Sequence, residues 1–485
     1  MATRTMVNQQ IRGFAFAWMG LTILIGMIVF FAIYLTYNSG TDSQGISLPG
    51  GDNGSNSVAL PAASETTRPT VATAVPTFVA VAAPPVAEQP VEVEEQPEVA
   101  AFSQPENVQD NPQPVPTILP VNVPDYQVGV QVQYSLDLNP DNQRIWMNDV
   151  NALGLGWMKQ QVRWEEIEIS QGEYNWAKLD LVLPIASEYG FKVLVSVVAA
   201  PDWAREPGAD LTEDGPPANL DDFANFLTAM MTRYPGHIHA VEVWNEPNLK
   251  REWASPEGLD AARFVDMMRI AYSTIKNIDP GVIVVSGALS PTGGYVVPET
   301  GEVTAIDDFD FLDQALAAGL LSWTECVGAH HNGYNIGPSV TWDNVPNDPL
   351  AEFRGPFDNA HHSWSFASTL QTYANKVAVA GGWQRLCVTE FGWAVAEDLE
   401  GVPNYFGFAL DNTLAEQAEW TVEAMDNMEE WGIVWLAFVW NLNYGPQAGW
   451  STESDNTPYS LIGPGFTRRP AFDAIAAWSA ARAGN

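Results

Sequence analysis

Two stretches of this 485-residue chain carry an apolar, strand-like run into a glutamate: "AVEVWNEPN" at 240–248 and "RLCVTEFGW" at 385–393. In the first, Val241, Val243 and Trp244 lead to Asn245 and Glu246, and Pro247 stops the strand with the carboxyl group at its tip. In the second, Glu390 follows Leu386, Cys387 and Val388, with Gly392 two residues on. Two such groups can divide acid and base work. One donates a proton to a leaving oxygen, and the other, ionised, attacks or activates water. Burial and neighbouring charges must then separate their pKa values. A single strand-end glutamate is commonly a loop cap, whereas a pair in matching contexts is hard to explain as scaffold.

The elements that would position the pair begin at Tyr126. Runs rich in Val, Ile and aromatics recur at 126–134, 157–164, 192–200, 239–246, 282–290, 325–331, 385–391 and 433–442. Amphipathic stretches such as 220–234, 259–278, 414–431 and 470–483 lie between and after them. Continuous apolar strands alternating with helices imply a parallel sheet covered on both faces. Eight such units predict an α/β fold, a closed (β/α)8 TIM barrel, with reacting groups at the C-terminal strand ends. An open doubly wound sheet is the weaker alternative, because no GxGxxG follows the first strand. Glu246 then ends strand four and Glu390 strand seven, so the two can face each other across the barrel mouth, as cleavage of a glycosidic bond requires.

On these residues the chain resembles clan A of the glycoside hydrolases, the retaining barrel enzymes with catalytic glutamates after strands four and seven. "EVWNEPN" and the Trp-ending eighth strand are most similar to family 39 and its relatives, with family 5 next. The resemblance covers 126–485. It implies a glycosidase hydrolysing O-glycosyl compounds, acting on β-linked poly- or oligosaccharide, without a cofactor. Glu246 would be the acid/base and Glu390 the nucleophile, with Asn245 bonding the sugar 2-hydroxyl and Arg163 beside Glu390. An ion pair of Arg163 with Glu165 or Glu166 is the plainer reading of that arginine. After strand six, His330 or His331 would bond a sugar hydroxyl, with His331 favoured, and Tyr334 would donate to the nucleophile. Trp440 would form the apolar platform under the sugar, with Trp203 a second candidate for stacking. Glu242 shares the inward face of strand four and reads as a buried, hydrogen-bonded residue. The long segment from Asn332 to about Ser365 is expected to wall the cleft. A catalytically silent glycan-binding barrel and a transglycosylase are the competing functions. No metal site is expected, because His330–His331 and His361–His362 are adjacent pairs without the i, i+4 spacing of a helical site.

The rest of the chain sets the context. A net charge of −38 excludes nucleic acid as a partner, since binding phosphates needs a basic face. Cys326 and Cys387, the only cysteines, lie in strand-like runs and read as free buried thiols. Residues 13–37 are uncharged and long enough to span a hydrocarbon core of about 30 Å, and Arg4 and Arg12 precede them. They are read as an uncleaved transmembrane anchor, since "YLTYNSG" does not resemble a signal-peptide cleavage site. The expected organisation is a cytoplasmic N-terminus at 1–12, the anchor at 13–37, a disordered Pro-rich stalk at 38–125 and an extracellular catalytic barrel at 126–485, a single-pass protein of the cell membrane.

Overall fold

A computed structural model of the chain describes residues 125–483. Eight parallel strands close into a barrel: β1 (Gln127–Gln131), β2 (Trp157–Arg163), β3 (Lys192–Val198), β4 (Ala240–Asn245), β5 (Ile283–Ala288), β6 (Cys326–Gly333), β7 (Arg385–Trp393) and β8 (Val434–Val439), with β8 paired back to β1. The outer ring comprises α1 (Pro140–Leu153), α2 (Ala177–Glu188), α3 (Leu220–Arg233), α4 (Ala261–Ile278), α5 (Asp308–Ala317), α6 (Phe366–Val379), α7 (Leu414–Trp431) and α8 (Pro470–Ala483). Asn139, Asn219, Asp260, Asp307, Ser365 and Thr413 start six of these helices, each side-chain oxygen accepting a free first-turn N–H.

Strand alternation produces a layered interior. Trp157, Leu194, Ala240, Val285, Cys326, Cys387, Leu436 and Phe438 form an apolar floor inside the barrel. The intervening residues, such as Val193, Val241, Val327 and Val388, face outward and pack with the helices. Two residues above the floor, the same strands present Lys159, Ser196, Glu242 and Thr389, all fully buried. The barrel thus carries a polar layer on an apolar floor, and the strand ends stand above it. At Gly328 the backbones of β5 and β6 come so close that a Cβ would lie 2.0 Å from the Ser286 carbonyl oxygen, so only glycine fits. That approach sets the height of His330, the next inward residue of β6.

Two expectations are corrected here. Cys326 and Cys387 are not free thiols: they form a disulfide between neighbouring strands β6 and β7, with Cα atoms 5.6 Å apart. Barrel closure places both on the inner face, which a linear reading of two separated cysteines does not convey. Membrane attachment is also withdrawn, because among the described residues no helix is long and apolar enough to cross a membrane. The span expected at 13–37 and the stalk expected at 38–125 lie outside those residues, save Asp125. Neither the single-pass topology nor the extracellular placement is carried further, and the supported fold class is the barrel.

The disulfide closes a loop with a sequence separation of 61 residues. Replacing both cysteines by alanine is expected to cost about 2–4 kcal/mol, through the regained entropy of the unfolded chain. Urea denaturation of wild type and the double variant, run without reductant, checks this.

Candidate active site

The end of β4 is shaped by its backbone. Trp244 (φ 76°) and Glu246 (φ 38°) both adopt left-handed conformations, which cost of order 1–3 kcal/mol each and persist only where surrounding contacts impose them. Those contacts are present. Trp244 donates its indole N–H to the Glu252 carbonyl, and Glu246 donates its backbone N–H to the Ala288 carbonyl. Asn248, fully buried, bonds the backbone of Ser290 and Ile306. The result is a rigid strand-end turn that directs the Glu246 carboxyl group toward the mouth.

Glu246 and Glu390 meet on a single imidazole. His330 Nδ1 lies 3.2 Å from Glu246 Oε1 and 3.7 Å from Glu390 Oε2. The two oxygens can be no further apart than those distances laid end to end. That limit only reaches the bottom of the about 6.5–9.5 Å range of inverting pairs, and it includes the about 5–5.5 Å of retaining ones. Both side chains keep roughly a tenth of their surface exposed, so the site is sheltered but open to solvent.

Cations surround this pair. Lys159 on β2, fully buried, places Nζ 3.1 Å from Glu390 Oε1 and 3.2 Å from Glu242 Oε2. Burial alone would lower its pKa, but the charges of Glu242 and Glu390 outweigh that and hold it above its ordinary value. Glu242 also accepts from the Thr389 hydroxyl at 2.6 Å. On the solvent side, Arg251 pairs with Glu246 Oε2 at 2.8 Å. Burial would raise the Glu246 pKa, yet the His330 hydrogen bond and the Arg251 charge hold it well below the usual carboxylate range. His330 moves the other way: its burial is outweighed by Glu390 and Glu246, so its pKa is raised. The contact between them therefore favours the protonated imidazole and the ionised Glu246 together, and the two titrate as a pair.

Most of the remaining candidates fall differently from the sequence reading. Asn245 stands beside Glu246 with its side-chain oxygen buried and unpaired, ready for a hydroxyl donor. Arg163 does not reach Glu390; it pairs with Glu165 and Asp214, each at 2.6 Å. It shares the strand face of Lys159 but lies four residues further on, about 13 Å higher at the strand's rise. His331 faces outward, edge-on to Phe366 of α6, so His330 and not His331 enters the site. Tyr334 makes no hydrogen bond to Glu390. It packs among Phe353, Trp364 and Phe408, and burial together with the Glu246 charge pushes its pKa up to about 12. Trp440 ends up at the mouth, 9% exposed, with its ring 5.1 Å from that of Tyr444. Trp203 leans edge-on against Trp164 and donates to the Glu168 carbonyl, so its partners are wall residues.

Sequence reasoning named His330 only as the second choice to His331, and it missed other residues of this constellation. Lys159 shares the charge balance with His330. Asn332 brings its amide to 3.4 Å from Glu390 Oε2. Glu252 is pushed up to about 7 by burial, with the Glu246 and Asp214 charges adding and Arg251 opposing. A signal for Lys159 did exist: a lysine inside "WMKQQVRW", two residues after an inward Trp157, must be buried and needs acidic partners.

Residues 123–285, the part of the chain that holds Glu246, match the Glycosyl hydrolase family 10 model. Among solved structures, a family 39 glycoside hydrolase from the gut symbiont Bacteroides cellulosilyticus WH2 has a TM-score of 0.52 at 16% identity, covering 73% of this chain and 64% of that one. The GH39 enzyme from Xanthomonas axonopodis pv. citri has a TM-score of 0.50 at 17% identity, covering 74% and 67%. The chain is a TIM barrel related to the clan A retaining glycosidases. The chain spans just under two thirds of the length of the Bacteroides protein.

Two measurements test the charge arrangement. Lys159→Met leaves Glu242 and Glu390 without their buried cation and is expected to cost about 3–5 kcal/mol. Arg163→Ala, which removes a half-exposed pair, should cost about 1 kcal/mol or less; equal losses on denaturation would contradict the assignment. His331 is buried, which holds its pKa down at about 4. The unfolded imidazole takes a proton below about 6.5 while the folded one does not, so stability falls as pH drops from about 6.5 toward 4. His331→Phe should therefore lose less stability than wild type between pH 7 and pH 5, as read by thermal unfolding.

Proposed function

We propose that this barrel is a retaining glycoside hydrolase that cleaves β-linked O-glycosidic bonds in poly- or oligosaccharides by double displacement. The observation that carries the reading is the convergence of Glu246 and Glu390 on His330 at 3.2 and 3.7 Å, a separation compatible with a covalent glycosyl-enzyme intermediate.

In this reading Glu390, braced by Lys159 and Asn332, attacks the anomeric carbon while Glu246 protonates the departing oxygen. The proton comes from His330 Nδ1, one hydrogen bond from Glu246 Oε1. For this, Arg251 must turn away from Glu246, and its side chain, 43% exposed, has room to do so. Glu246 then accepts a proton from the water that releases the sugar. The unpaired oxygen of Asn245 is suited to a sugar hydroxyl, an interaction that tightens as positive charge develops on the ring. Trp440, just after β8, offers a flat apolar face at the mouth. Family 39 is the finer assignment suggested by "EVWNEPN" and the Trp-ending β8, while the family 10 match covers β1 to β4. The proposal therefore rests on the clan-level pair of acids.

Glu390→Gln should abolish turnover of an activated aryl β-glycoside, and Glu390→Gly should recover turnover when azide replaces the missing carboxylate. Glu246→Gln should lose about 10²–10⁴-fold on substrates with poor leaving groups and far less on activated ones. Unchanged turnover in Glu390→Gln would sink the reading.

A further inference from the structure

We propose that Asp307, His361 and His362 form a binding site for a divalent transition-metal ion of the zinc class, clamping the segment after β6 to the segment after β5. The three residues offer donor atoms that all lie within 4.8 Å of one another. His361 Nε2 is 3.4 Å from Asp307 Oδ2, and His362 Nε2 is 3.8 Å from Asp307 Oδ1. Both distances exceed the about 2.7–3.2 Å of a strong N–H···O hydrogen bond, while His362 Nε2 is hydrogen-bonded to Asp308 Oδ1 at 3.0 Å, a contact that a metal on that nitrogen would replace. Ligands about 2.0–2.2 Å from a tetrahedral centre are themselves roughly 3.3–3.5 Å apart, and the 3.4 Å from His361 Nε2 to Asp307 Oδ2 matches that.

The local backbone explains the convergence. Adjacent side chains on a strand point to opposite faces, but the 3-10 turn His362–Trp364 brings both imidazoles to one side, with ring centroids 4.1 Å apart. Phe309 stacks on His362 at 3.5 Å and fixes its plane. Asp307 is the N-cap of α5, and Oδ1 accepts the Phe309 and Asp310 N–H groups, so Oδ2 is left for another partner.

Outer partners suit a bound cation. His361 Nδ1 lies 2.9 Å from the Ser363 hydroxyl, an acceptor for the proton that Nδ1 must carry when Nε2 binds a metal. In the metal-free tautomer the same nitrogen instead accepts the Ser363 N–H at 3.2 Å. Asp308 Oδ1, 3.0 Å from His362 Nε2, brings a second carboxylate to the cluster, oriented by the Thr292 N–H and the Tyr373 hydroxyl. Two carboxylates and two neutral imidazoles offset a 2+ charge without excess. His361 is about one-third exposed, so an ion can enter from solvent and keep a water in its remaining position.

This site differs from the catalytic constellation yet reaches it. Trp364 belongs to the same 3-10 turn, and its ring packs edge-on against Tyr334 at 4.7 Å. Tyr334 in turn senses both Asp308 and Glu246. A metal would hold this wall in one position, so its loss should act on substrate affinity before the chemical step.

The test uses the full chain, stripped with a chelator and titrated with Zn²⁺ by calorimetry and with Co²⁺ by visible absorption. A single saturable equivalent is expected, with the intense d–d bands of tetrahedral nitrogen and oxygen ligation, and a Zn²⁺-dependent rise in Tm. His361→Ala, at a partly exposed position, and Asp307→Asn, which keeps the cap oxygen, should each weaken uptake more than tenfold while leaving the apo Tm near wild type. No saturable uptake by the wild type, or uptake that both variants retain, would overturn the proposal. Because binding is read directly, failure here leaves the glycosidase reading standing, and failure of that reading leaves this one testable.

Discussion

Three carboxylates, Glu242, Glu246 and Glu390, crowd the upper interior of this barrel, and a buried anion is tolerated only where cations and hydrogen bonds replace the water it has lost. Lys159, His330 and Arg251 supply that replacement from β2, β6 and the turn after β4. With the imidazole protonated, three negative charges face three positive ones. His330 and Glu246 sit at the centre of that balance, in direct contact. Register follows from the same requirement. A one-residue slip of β2 would turn Lys159 outward and bring Gln160 inward, leaving two carboxylates without their ammonium group.

Scaffold and site divide the barrel by height. Apolar side chains and the Cys326–Cys387 bridge fill the floor, where packing alone decides what fits. One pleat higher, Lys159, Glu242 and Thr389 exchange hydrogen bonds and charge. Higher still, the strand-end turn at Glu246 stores backbone strain that Trp244, Asn248 and the Ala288 carbonyl hold in place. Rigid support below and strain above is the expected arrangement where a side chain must be aimed and not merely buried.

The βα segments at the mouth add a further tier. The segment after β6 contributes Tyr334, Phe353 and Trp364 to an aromatic cluster with Phe408, and it ends at the His361–His362 turn facing Asp307. Apolar contacts give this wall its bulk. Polar contacts fix its position: Asp411 accepts from Asn335, Glu352 and Phe353, and Trp393 donates to the Ile336 carbonyl.

Much of the fold was legible in the sequence, because apolar periodicity is local: each of the eight strands and the long amphipathic helices announces itself within its own dozen residues. Glu246 and Glu390 were legible for the same reason, since each is marked by its immediate context. Charge partnership was not. Lys159 and Arg163 share a strand face, and only strand height and barrel closure decide which of them meets Glu390. His330 and His331 differ by one residue, and the placement of Cys326 on the inner face fixes the alternation that turns His330 inward and His331 outward. The cysteines look alike as thiols or as a bridge until closure sets their strands side by side. Sequence alone thus determined the elements and the acids at their tips, because backbone pattern is a property of neighbours along the chain. Tertiary structure decided which cation, imidazole or sulfur each group met, because electrostatic and covalent pairing act through space and depend on a register that no single segment contains.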